Sequence, residues 1–235
     1  MAKRPELTHN HYIPHGGGPW PFMPESAASL ESLTAFLRGL ITGSGTKPRA
    51  IVVIPGHWEE PIPTVSARAD HSMLYDYEGF PEHTYALDYP APGSPDVAAE
   101  VVKAFTDAGF QSATENVRGY DHDVFVPLKL VDPDAAIPVI PISLVEGLDP
   151  EVHLAMGRAL APLRKDNILI VGSGMSFHNV RALFAGGSLD RANAFDAWLN
   201  ETVTGDPAER DRRLGAWPRR RKRASHTREK SICFR

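Results

Sequence analysis

Short apolar runs that end in glycine or proline alternate along this chain with longer stretches of helical spacing. Strands that alternate with helices in this way build an α/β fold, because each strand needs a crossover to reach a parallel neighbour. Residues 50–54 (AIVVI) form a β-branched run after the turn-forming GSGTKPR, and the run reads as a buried strand ending at Gly56, His57 and Trp58. Residues 137–144 (IPVIPISL) read as a second strand, and residues 168–171 (ILIV), before Gly172-Ser173-Gly174, as a third. The spacing predicts amphipathic helices over 95–108, 150–165 and 191–204, two of them with proline in the first turn. Residues 59–94 are rich in proline and aromatic side chains and have no clear period. A connection that long is functional or disordered, and its aromatic content predicts an ordered wall around a pocket.

The chain has 235 residues, a length that one hydrophobic core can serve. No run approaches the roughly 18 consecutive apolar positions of a membrane span. No apolar stretch follows the first basic residues, so the start does not read as a secretory signal, and the expected location is the cytoplasm. Cys233 is the single cysteine, which excludes a disulfide framework and thiolate-rich metal sites and leaves nitrogen and oxygen as metal donors. The net charge of -4 is unevenly distributed: residues 212–235 hold ten Lys/Arg and one acid, leaving 15 bases and 28 acids in residues 1–211. So acidic a body offers no general field for nucleic acid, and the expected partner is a small molecule.

In open α/β sheets, ligands bind beyond the carboxyl ends of the strands. His57 follows the first run by three residues and His178 follows ILIV by seven, while His15 lies in Pro14-His15-Gly16-Gly17-Gly18-Pro19, where glycines allow a tight turn. Any one of these alone reads as a hydrogen-bonded loop histidine. Three in matching contexts read as candidate ligands of one ion. His122, flanked by Asp121 and Asp123, is the candidate acid/base, because a neighbouring carboxylate raises an imidazole pKa and selects its tautomer. The bland alternative is a helix cap made by Asp121 or Asp123, with the histidine incidental. His9, His11, His71, His83 and His153 read as surface or pocket-wall residues.

HGGGPWPFM, the strand followed by GHW, YDYEGFP with YPAPGSP, GYDHDVFVPL and SGMSFHN resemble, in order, the motifs of class III extradiol dioxygenases of the DOPA 4,5-dioxygenase-like branch. The resemblance runs from about residue 11 to about residue 217. It implies a single α/β/α domain over 1–217, with a central, mostly parallel or mixed sheet between two helical layers. It further implies one divalent metal, iron(II) for activity with zinc(II) as a possible bound ion, at His15, His57 and His178, and proton transfer at His122. The implied reaction opens a catechol-type ring beside its two hydroxyls with both atoms of O2. Trp58 and Tyr89, with Trp20 and Phe80, are then candidate flat walls of the substrate pocket.

Past Trp217, relatives of this type continue with a stretch similar to HPREEHLLPL, whose second histidine belongs to the metal site. This chain instead reads PRRRKRASHTREKSICFR. Codons for residues 228–235 that are read from each third base permit R-E-E-H-L-L-P, which points to a frameshift near Trp217 or Pro218. Residues 218–235 are therefore expected to be an aberrant basic tail that does not order itself, and activity is expected to be impaired.

Two other function classes compete: a zinc hydrolase, since zinc also takes histidines, and a non-catalytic metal-binding protein on the same fold. A dinucleotide site at Gly172-Ser173-Gly174 is disfavoured because Phe177 stands where the pattern needs a third glycine. Sequencing the encoding DNA tests the frameshift: one base added or removed near codon 217 should restore the histidine-bearing motif, and the idea is lost if neither change does.

Overall fold

The computed structural model describes residues 10–24, 30–41, 47–177 and 190–216. The elements, in chain order, are β1 (Asn10–Ile13), α1 (Glu31–Gly39), β2 (Ala50–Pro55), β3 (Glu59–Glu60), β4 (Thr64–Ser66) and α2 (Pro95–Asp107). They continue with β5 (Ala113–Glu115), α3 (His122–Val131), β6 (Val139–Pro141), β7 (Leu144–Val145), α4 (Pro150–Leu160), β8 (Ile168–Ser173), α5 (Asp190–Thr204) and α6 (Pro207–Gly215).

The main sheet has the order β1-β8-β2-β6 with every neighbour parallel. Because side chains alternate across a strand, its residues divide between two faces. Ile51, Val53, Val139, Leu169 and Val171 face one layer, formed by Leu37 of α1 and by Val124, Phe125, Leu128 and Val131 of α3. Ala50, Val52, Ile140 and Ile168 face the other, formed by Val97, Val101 and Phe105 of α2 and by Met156 and Leu160 of α4. Helices thus cover both faces, the three-layer arrangement expected from the sequence, and near-continuous apolar strands are the signature of a sheet covered twice. Beyond these layers α5 and α6 pack on each other through Trp198 and Leu214.

The expected strand over 137–144 is in fact two short strands. β6 pairs with β2, then the chain changes partner and β7 pairs with β3. Pro141 cannot donate a ladder hydrogen bond; Ile142 N–H makes the last bond to β2, at the Val53 carbonyl (2.9 Å), and Ser143 N–H then turns to the Thr64 carbonyl of β4 (2.9 Å). The expected helix over 150–165 is α-helical to Leu160 and continues as a 3-10 turn over Ala161–Asp166. Ser94 and Asp149 cap α2 and α4, each followed by proline in the first turn.

α3 begins the functional end of the molecule. The Asp121 side chain caps it by accepting from Val124 N–H (3.2 Å). Pro127 lies inside the helix and has no N–H for the Asp123 carbonyl four residues earlier. The Ser173 hydroxyl, at the end of β8, donates to that carbonyl instead (2.6 Å). The helix start is thereby tied to the middle of the sheet. Replacing Ser173 by Ala should cost ~1–3 kcal/mol in chemical denaturation by stranding a buried acceptor. In a Pro127→Ala background, where the helix supplies its own donor, the same substitution should cost clearly less; equal costs would refute this account.

Candidate metal centre at the strand ends

Three segments converge beyond the carboxyl ends of the sheet. His15 follows β1, His57 follows β2, and His122 with Asp123 opens α3. Their imidazole centroids are 5.2 Å apart for His15 and His57, 5.1 Å for His15 and His122, and 4.8 Å for His57 and His122. His15 owes its position to Gly16, whose φ of 75° and close approach to Trp20 exclude a side chain: a Cβ there would lie 2.1 Å from the indole. The Trp20 indole N–H in turn donates to the His15 carbonyl.

Asp123 is the hub of the cluster. It is fully buried, and its Oδ2 accepts the backbone N–H of His57 (3.0 Å). Its Oδ1 lies 2.7 Å from His57 Nδ1, 2.7 Å from His15 Nδ1 and 3.2 Å from His122 Nε2. The His57 contact is a hydrogen bond, whereas His15 Nδ1, also buried and equally close, falls outside hydrogen-bond geometry. Burial pushes the Asp123 carboxyl up, but the imidazoles of His15, His57 and His122 outweigh it and hold the group ionised, below the usual carboxylate range. Burial depresses the His15 imidazole more than Asp123 raises it, so His15 is held neutral, the form that binds metals. The start of α3 adds its own positive end to the field around Asp123.

His122 has a second tether. Asp76 Oδ1 accepts from its backbone N–H (3.0 Å) and lies 2.7 Å from its Nδ1. Burial works against a charged His122, yet Asp76, Asp123 and Asp121 together lift its pKa above the ordinary histidine value. Arg118 forms an ion pair with Asp121 (2.7 Å) and stacks its guanidinium over Trp58, 5.3 Å from the ring centroid. His57 is the most open of the three histidines at 29 % exposure, against 1 % for His15, so the cluster opens to solvent on the His57 side.

The structure thus brings together His15, His57 and His122 from the sequence expectation. His178, the expected third ligand, lies outside the described residues. Trp58 is buried beside His57, with its indole N–H donating to Glu60 (2.8 Å). Tyr89 is fully buried in the core, 6.4 Å from the Tyr120 ring. Three contributors escaped the sequence reading. Asp123 was weighed only as a neighbour or cap of His122. Asp76 and Tyr77 come from the loop of residues 59–94, where Tyr77 meets His122 edge-on at 6.0 Å and joins Tyr75, Phe80, Tyr85 and Phe125 in one aromatic cluster. Their only sequence signal was the YDYEGFP motif itself.

The nitrogen and oxygen donors of His15, His57, His122 and Asp123 all lie within 4.8 Å of one another, and the partnerless His15 Nδ1 adds a buried lone pair. Such a donor set fits a divalent cation. Residues 26–211 match the family model described as the catalytic LigB subunit of aromatic ring-opening dioxygenase. This chain belongs to that family of extradiol ring-opening dioxygenases. It is 36% identical over 207 residues to a 4,5-DOPA dioxygenase extradiol of Beta vulgaris, covering 87% of this chain and 76% of that protein. It is 45% identical over 179 residues to the dioxygenase tasH of Hapsidospora irregularis, covering 74% of this chain but only 55% of that protein. A crystal structure of an uncharacterized Escherichia coli K12 protein superposes with a TM-score of 0.65 at 29% identity, covering 79% of this chain and 72% of that one. Among the described residues no helix is long and apolar enough to cross a membrane.

The Asp76 tether gives a pH-dependent expectation for the metal-free protein. A raised imidazole pKa contributes stability that is complete below the unfolded value of 6.5 and fades as pH rises through the folded value. Asp76, whose own pKa is lowered, contributes above its unfolded value of 3.8. Asp76→Asn should therefore destabilise more at pH 5.5 than at pH 8.5 and lower the His122 pKa in an NMR titration. A pH-independent loss with an unchanged titration would contradict this.

Proposed function

We propose that this chain opens the aromatic ring of a catechol-type substrate by extradiol cleavage with O2, using one divalent metal held by His15, His57 and His178, with His122 as acid/base. The observation that carries this reading is the convergence of His15 and His57, each just past a parallel strand, with His122 at the start of α3, in a member of a ring-opening family. Iron(II) suits the reaction, because a redox-active ion with open positions holds both diol and O2 and passes electrons between them.

His122 handles the proton. With Nδ1 engaged by Asp76, proton exchange with a catechol hydroxyl falls to Nε2, which lies 3.2 Å from Asp123 Oδ1, and the surrounding carboxylates keep it basic enough to take a proton near neutral pH. The neutral His15 leaves the ion's charge undiminished. The more exposed His57 marks the side from which substrate enters, where Trp58 and its stacked Arg118 form a flat, cationic wall. The beet relative's name makes 3,4-dihydroxyphenyl compounds the first substrates to test. Residues 1–217 constitute the catalytic unit, and the basic segment over 218–235, in place of the family's histidine-bearing stretch, lowers its turnover.

Anaerobic protein loaded with iron(II) and a 3,4-dihydroxyphenyl substrate should remain colourless and turn yellow when O2 is admitted. His15→Ala or His57→Ala should lower bound metal by ~10–100-fold or more. His122→Asn should retain metal but slow turnover by ~10²–10⁴. Oxygen-independent hydrolysis by the zinc form, or full activity in His122→Asn, would defeat the proposal.

A further inference from the structure

We infer that the Asp123 carboxylate is itself a metal ligand, forming with His15 and His57 a face of two nitrogens and one oxygen. This rests on the metal-dependent reading above and deepens it. Three independent features support it: donor spacing, an unanswered buried nitrogen, and local charge.

Two donors at right angles on an octahedral ion, each bonded at 2.0–2.2 Å, stand about 2.8–3.1 Å apart. Asp123 Oδ1 lies 2.7 Å from both His15 Nδ1 and His57 Nδ1. That spacing matches ligands sharing one ion, and a small outward movement of each completes it. A carboxylate oxygen that only oriented the two rings would meet both N–H groups along their axes. His57 forms a hydrogen bond with it; His15 Nδ1, buried and at the same 2.7 Å, falls outside hydrogen-bond geometry. A cation between these atoms gives that nitrogen its partner.

Charge points the same way. Asp76, Asp121 and Asp123 crowd around three histidines, and among the described residues Arg118 is the one Arg or Lys forming an ion pair with them, through Asp121 alone. A divalent cation at Asp123 neutralises a carboxylate that is otherwise sealed from water. Two histidines and one carboxylate are also the donor set of iron(II) oxygenases that keep a face open for substrates.

The test is a crystal structure of the full chain with zinc(II), the ion located by its anomalous signal, together with zinc affinities of wild type, Asp123→Asn and Asp123→Glu. The expected result is an Asp123 oxygen at bonding distance from an ion shared with His15 and His57. Asp123→Asn should lose affinity by more than the ~10–100-fold that removing an outer-shell partner costs, with Asp123→Glu recovering part of it. Circular dichroism of the metal-free variants shows whether each is folded, and the wild-type structure decides the question should either variant fail. An ion bound through the far ring nitrogens, with Asp123 beyond 3.5 Å, overturns the inference and leaves the metal-dependent reading intact. No ion at His15 and His57 overturns both. An Asp123-bound ion in a protein that cleaves no catechol sustains the inference and removes the catalytic reading.

Discussion

A single buried carboxylate organises the active end of this molecule. Asp123 has no access to water, and a charge in that position persists only if its surroundings answer it. They do so with the backbone N–H of His57, the imidazoles of three histidines and the positive end of α3. The partners arrive from three parts of the chain, so the carboxylate records in one place whether β1, β2 and α3 have docked correctly. The Ser173 hydroxyl extends the same constraint to β8 through the Asp123 carbonyl, made available by a proline that the helix could not otherwise tolerate without loss.

The layers of the fold were legible because they depend on burial alone. β2 and β8 read as strands from their uninterrupted branched apolar residues, and α2, α4 and α5 read as helices from their spacing, with Pro95 and Pro150 marking two of their starts. The break near Pro141 was less readable, since IPVIPISL is equally apolar on either side of the partner change. The change from β2 to β3 as partner depends on where those strands lie in space, which the local sequence does not carry.

The site was half legible. His57 could be found because a histidine just beyond a buried strand lies where open sheets bind ligands, and His15 because the glycines after it allow a tight turn. His122 was found for its flanking acids, but the role of those acids was not. Asp121 caps the helix, as the bland reading allowed, while the adjacent Asp123 turns inward to the histidines. On a helix, residues one apart point about 100° away from each other, and only the docking of α3 against the sheet decides which of them faces the cluster. Asp76 lay deeper still, in a loop without periodicity, where no spacing rule connects a residue to its target.

That loop has a consequence for how such an enzyme can change. The same few residues that supply aromatic surface, Tyr75, Tyr77 and Phe80, also carry the carboxylate that sets the acidity of His122. Repacking that aromatic cluster would shift the backbone bearing Asp76, and with it the readiness of the neighbouring imidazole to accept a proton. The packing of this aromatic cluster and the acid strength of His122 are therefore inherited together, and a lineage that alters one must retune the other.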